Sequence, residues 1–105
     1  MKWKIALLEQ VEKFIESCSL EDRLRIKKVF NLFEEFGVAL GSPYLKKISG
    51  TDNLWEFRIR NIRLLFFLKR NVGIIVHGFV KKSWRVPKRE LEIAKKRSKL
   101  VKELI

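Results

Sequence analysis

The stretch FRIRNIRLLFF, residues 57–67, sets Arg58, Arg60 and Arg63 into a run that otherwise reads as a buried β-hairpin. Arginine is rarely buried without a partner. The three therefore form a solvated outer face or point together at something negative. A second basic group follows in GFVKKSWRVPKR, residues 78–89, where Lys81, Lys82, Arg85, Lys88 and Arg89 surround Trp84. Cations around an aromatic ring suit phosphate contacts combined with base stacking. Lys46 and Lys47, earlier in the chain, are candidates for the rim of the same site. Such groups can stabilise the charge that builds on a pentacoordinate phosphate. With RNA as substrate the 2′-OH is the nucleophile and a 2′,3′-cyclic phosphate is left. That reaction needs a base, an acid and cationic clamps. Each basic group taken alone also fits an ordinary charged surface; the two together favour a site.

Other chemistry is thinly represented. His77 is the only histidine and alternates with Ile75 and Phe79, so it is expected on their face. A hydrogen-bonded core histidine is the plain reading, and His77 is also the candidate acid/base if it opens onto the groove. Tyr44 and Trp55 read as packing residues. Lone Cys18 excludes an intrachain disulfide and a cysteine-based zinc cage, and lies on an apolar helical stripe. There is no Gly-rich phosphate loop, no Ser/His/Asp set and no metal-ligand cluster, so neither metal nor cofactor is expected. The acidic residues lack the paired spacing of a metal-dependent nuclease.

The charge is one-sided. Residues 1–45 hold seven basic and seven acidic residues, whereas residues 46–70 hold seven and two, and residues 80–105 hold ten and three. The whole excess of the +12 net charge thus lies in the C-terminal 60 residues. A partner rich in phosphates is the first expectation, and an acidic protein fits the same asymmetry. A membrane surface fits less well, because the cations are spread over strands as well as a helix. With no signal peptide and a single cysteine, a reducing cytoplasm is the expected compartment.

These residues need a scaffold, and 105 residues suffice for one domain, 1–105. Residues 2–8 alternate as a short strand. Val11, Phe14, Ile15 and Cys18, then Ile26, Val29, Phe30 and Phe33, recur at helical spacing, with Leu20 and Phe36 extending the second stripe. Ser19 opens a capping pattern and Gly37 is placed to end the helix, so residues 9–37 read as a helical hairpin. Residues 38–53 read as a loop. Three strands follow, at about 54–60, 62–69 and 74–80. A helix led by Pro87 then carries Leu91, Ala94, Val101 and Ile105 as a weak stripe that docks lightly. The fold class expected is α+β: an N-terminal helical hairpin on a small antiparallel sheet, with a C-terminal helix.

A two-residue turn at Asn61–Ile62 would pair Arg60 with Arg63, Arg58 with Leu65, and Ile59 with Leu64. All three arginines then share one face, while Phe57, Ile59, Leu64, Phe66 and Leu68 fill the other. Ile62 is a poor residue for the positive φ of such a turn, and a longer, bulged turn would change the pairing.

In order, LKKISGTDNLWEFRI, IRLLFFL and IIVHGFVKKSWRVPKRELEIAKKR, after the hairpin EKFIESCSLEDRLRIKKVFNLFEEFG, resemble the RelE/ParE toxin superfamily, closest to its HigB-like, phage-derived branch. The resemblance covers nearly the whole chain. It implies the RelE-like fold and a type II toxin: a metal-independent endoribonuclease that cuts mRNA at the ribosome and is silenced by a helix-turn-helix antitoxin. It places Arg58, Arg63 and Lys82, with Lys81 beside it, at the family's phosphate-binding and transition-state-stabilising positions. Arg60, Trp84, Arg85, Lys46 and Lys47 would then support the RNA. The chain departs from relatives that use a C-terminal tyrosine or histidine as acid/base, since it has neither after His77. A lysine with a lowered pKa could take that role. The alternatives are a non-enzymatic basic RNA-, DNA- or protein-binding module, and a ParE-like gyrase inhibitor.

Overall fold

The helical hairpin forms because its apolar residues fall on matching stripes. In the structure, a computed structural model describing residues 2–83 and 85–105, β1 (Lys4–Leu7) leads into α1 (Glu9–Ser17) and α2 (Leu20–Phe36). The Ser19 side chain accepts from Asp22 N at 3.1 Å, satisfying one free amide of the first turn. Val11, Ile26, Val29 and Phe33 are buried, with Phe14, Ile15, Cys18 and Phe30 packed around them. Leu20, at 64% exposure, and Phe36 do not extend this stripe; both face outward.

Gly37 stops α2 with a backbone that glycine alone adopts readily, φ 58° and ψ −139°. A Cβ there would lie 2.0 Å from the Trp3 indole, whose ring meets Phe33 edge-on at 5.7 Å. The segment expected to be a loop contains two short elements: a 3₁₀ turn (Gly37–Leu40) and a strand, β2 (Leu45–Lys47). Three residues are too few for alternation to reveal a strand.

Next come β3 (Trp55–Ile59), β4 (Ile62–Lys69), β5 (Val72–Val80) and α3 (Lys88–Leu104). The five strands form one sheet in the order β1-β5-β4-β3-β2. The β2–β5 pairings are antiparallel, as expected of the fold class, and β1 adds a parallel edge beside β5. The α1–α2 hairpin packs on one sheet face through Phe57, Leu64, Phe66 and Ile75. On the other face α3 seats Ala94 and Leu91 against Leu65, Phe67, Val76 and Phe79. The last helix therefore covers a face of its own and does more than dock lightly. Ile105, at the end of its expected stripe, is exposed.

The β3–β4 turn differs from the expected one. It is Arg60–Asn61, with Ile59 opposite Ile62 and Arg60 at φ 56°. Ile62 is thereby spared positive φ and is buried in the core. The register moves by one pair: Arg58 faces Arg63, Phe57 faces Leu64, and Glu56 faces Leu65. The apolar face survives this change because both registers preserve the alternation. Arg60 leaves the strand face for the turn.

A bulge in β5 alters the second expectation. Leu65 pairs with His77 but Phe66 pairs with Ile75, leaving Val76 as the extra residue. Ile75 belongs to the helical-hairpin side, whereas His77 and Phe79 face α3. His77 therefore shares a face with Phe79 and not with Ile75.

Candidate phosphate-binding site

Strand alternation gathers the cations. Glu56 and Arg58 on β3 and Arg63 on β4 lie on the sheet face opposite the helical hairpin, and Lys46 joins them because it pairs with Glu56. Lys47 pairs with Trp55 and so takes the other face. Lys81 follows β5, two residues after Phe79, which pairs with Arg63; its amide donates to Asn61 O at 2.6 Å. That bond ties the end of β5 to the hairpin turn.

Arg58 and Arg63 are held from below and from the side. The Glu56 side chain is only 4% exposed, and its Oε1 lies 2.9 Å from Arg58 Nε. The Arg58 N–H is not aimed along that line, so the contact is a charge pair without a well-formed hydrogen bond. Arg63 Nη1 donates to Arg60 O at 2.6 Å and to Ile62 O at 2.9 Å. Among the described residues Glu56 Oε2, Arg58 Nε and Arg63 Nε are buried without a hydrogen-bond partner. Unpaired buried groups are costly, and two of these are donors on adjacent guanidinium groups. Both arginines line one open cleft, where their guanidinium groups could meet the same oxyanion.

The electrostatics agree with this geometry. Burial pushes the Arg63 guanidinium pKa down; Glu56 opposes that shift and Arg58 adds to it. Burial likewise lowers the Lys81 ammonium, Arg63 lowers it further, Glu56 resists, and Arg58 and Lys46 add to the lowering. Lys81 thus senses every charge of the cluster.

A cleft of about 440 Å³ opens on this cluster, lined by Pro43, Tyr44, Arg58, Arg60 and Arg63. Tyr44 packs against the core as expected and also borders this cleft, where its carbonyl accepts from Arg58 N at 2.8 Å. Arg60 also borders a second cleft with Glu21, Asp22 and Arg25 at the start of α2, so it has carboxylates nearby. Lys82 and Arg85 are exposed beyond β5. Trp84 lies outside the described residues.

His77 is buried beneath α3. Its Nε2 is 2.8 Å from Glu90 Oε1, and Arg97 Nη1 is 3.3 Å from Nδ1 while also donating to the Val76 carbonyl at 3.0 Å. A guanidinium can only donate, so Nδ1 accepts and Nε2–H donates to Glu90. Both ring nitrogens are engaged, and the ring stacks on Phe79 at 5.6 Å. Among the described residues no group of three or more His, Cys, Asp or Glu is arranged to hold a metal ion. No described helix is long and apolar enough to cross a membrane.

Glu56 and Tyr44 escaped the sequence reading. For Glu56 a signal existed: an acid alternating with Trp55 and Phe57 and followed by arginines. For Tyr44, in a short segment with no periodicity, there was none.

The two-layered helices and five-strand sheet are those of RelE-type structures. A substituted E. coli toxin RelE in the free state is similar with a TM-score of 0.67 and 18% identity, covering 92% of this chain and 98% of that one. A chain of the archaeal RelE–RelB complex from Pyrococcus horikoshii OT3 gives 0.66 and 19%, covering 78% and 98%. One from the RelB–RelE antitoxin–toxin complex of Methanococcus jannaschii gives 0.61 and 17%, covering 71% and 88%. This chain belongs to the phage-derived Gp49-like family, whose model matches residues 13–99. No curated protein matches it significantly.

Proposed function

We propose that this chain is the toxin of a type II toxin–antitoxin system, a single RelE/HigB-like domain. In this reading it is a metal-independent endoribonuclease that cleaves mRNA on the ribosome in the cytoplasm. The observation that carries the reading is the directly opposed pair Arg58–Arg63, whose buried Nε donors have no hydrogen-bond partner among the described residues. The scissile phosphate binds between them. Lys81, whose lowered pKa makes a free amine more accessible, takes the 2′-OH proton. The 2′-oxygen bonds to phosphorus, the bond to the 5′-oxygen breaks, and water protonates the departing oxygen. A 2′,3′-cyclic phosphate and a 5′-OH end result. Lys82, Arg60, Arg85, Lys46 and Trp84 support the RNA, whereas Lys47, on the opposite sheet face, drops out of the expected set. His77, engaged at both nitrogens, holds α3 to the sheet. The likeness to chains from RelE–RelB complexes supports an antitoxin partner, which we take to be a helix-turn-helix protein.

The test is expression of the wild type beside Arg63→Ala and Lys82→Ala, with sequencing of cleaved mRNA ends on translating ribosomes. Wild type should arrest growth and yield 2′,3′-cyclic phosphate ends, and the variants should not. Equal arrest by all three at equal protein levels would overturn the site. Salt-sensitive RNA binding without any cleavage would favour the non-enzymatic binding module, and loss of supercoiling activity would point to gyrase.

A further inference from the structure

Away from the arginine cluster, a cavity of about 360 Å³ lies between the loop before β3 and α3. Its helical wall carries Lys95, Lys99 and Lys102, spaced i, i+4 and i+7 on one face. Its loop wall is built from Gly50, Thr51, Asp52 and Asn53; the Asp52 carboxylate is the one anion of the lining, and the side chains of Thr51 and Asn53 are spent on rigidity. Thr51 Oγ1 donates to Ile48 O at 2.6 Å, and Asn53 Nδ2 donates to Leu68 O at 2.8 Å. Lys102 Nζ stands 5.0 Å from the centre of the Phe67 ring.

The cavity also contains an unexplained polar group. Ser98 lines it and is 5% exposed, yet its Oγ has no hydrogen-bond partner among the described residues. A helical serine ordinarily bonds back to its own helix or faces water. This hydroxyl does neither, so the site is one acceptor or donor short of complete. Three lysines outnumber the single Asp52 carboxylate in a lining that also holds this unsatisfied hydroxyl, and such a lining suits a phosphate.

The placement names the source of that phosphate. The cavity lies at the Leu54 end of β3 and the arginine pair at the Ile59 end. Arg58 lies four positions beyond Leu54, roughly 13 Å of strand. Lys46, paired with Glu56, stands between them on the same face. We infer that Lys95, Lys99, Lys102 and Ser98 form a second phosphate subsite, which takes the backbone of the same single-stranded RNA a few nucleotides from the bond that is cut. This rests on the RNA-binding reading above.

The experiment compares full-length wild type with Lys95→Ala/Lys99→Ala/Lys102→Ala and with Ser98→Ala. Each is titrated with a 2′-deoxy-blocked dinucleotide and with longer single-stranded RNA, over a salt series. The triple variant should bind long RNA at least about tenfold more weakly and lose salt dependence, at about 0.7 in slope per lost phosphate contact. Its affinity for the dinucleotide should be unchanged. Ser98→Ala should weaken long RNA a few-fold while its thermal midpoint stays equal or rises, because an unpaired hydroxyl is removed. Equal binding of long RNA by all three proteins, with Arg58→Ala still impaired, overturns the second subsite alone. Equal weakening for short and long RNA also overturns it. Failure of the wild type to bind either RNA overturns the underlying reading as well.

Discussion

Arg58 and Arg63 stand directly across from each other in neighbouring strands, and the Glu56 carboxylate lies 2.9 Å from Arg58 Nε. Like charges in opposed positions destabilise a sheet by up to about 1 kcal/mol. The buried acid beside the pair offsets that repulsion. Glu56→Gln should therefore destabilise the protein by about 1–3 kcal/mol in urea unfolding. The deficit should shrink in high salt, which screens the arginines. A deficit independent of salt would mean that Glu56 acts through packing and not through charge.

Arg63→Lys should fail nearly as badly as Arg63→Ala in RNA cleavage. Arg63 uses one nitrogen for two turn carbonyls and has Nε left over. A lysine is a single point donor and cannot do both. Loss of a charge-stabilising donor corresponds to roughly 10²–10³ in rate. The check is single-turnover cleavage with folding confirmed by circular dichroism; near-normal cleavage by the lysine variant would overturn the assigned geometry.

Cleavage should follow the ionisation of Lys81. Its pKa is lowered by burial first and then by Arg63. The free amine is the active form of a base, so the rate should rise with pH. It should level off below the ordinary lysine value of about 10.4. Lys81→Met should remove that limb. Glu56→Gln should move the bend to lower pH, because Glu56 opposes the lowering. A flat profile in the wild type would remove Lys81 from proton transfer.

Gly37→Ala should be among the most damaging small substitutions. The new methyl would meet the Trp3 indole, and the backbone conformation is strained for any residue with a Cβ. A loss of about 3 kcal/mol or more is expected in thermal or urea unfolding. An unchanged midpoint would show that Trp3 can leave the core without cost.

The helical hairpin was legible because its stripes and caps are local: Val11, Ile26, Val29 and Phe33 repeat at helical spacing, and Ser19 and Gly37 mark the breaks. The hairpin register was not. Arginine seldom takes positive φ, so nothing local singled out Arg60 for the turn over Asn61–Ile62. The apolar face was still read correctly, since alternation survives a change of turn. The bulge at Val76 is likewise silent in a run of consecutive apolar residues, and it misplaced Ile75 relative to His77. The convergence of Lys46, Glu56, Arg58, Arg63 and Lys81 depends on pairing between strands distant in sequence, although its cationic members stood out by charge.

The parallel pairing of β1 with β5 also bears on how the chain is made. Lys4–Leu7 finds its partner only at Val72–Ile75, so the first strand must wait for the last one. Until β5 is synthesised, the helical hairpin has no completed sheet to rest on, and Lys81 has not joined the arginines. Pairing of such high sequence separation is slow and late. A chain cut short before β5 would carry Arg58 and Arg63 without the strand that aligns them, so an incomplete translation product should be inert.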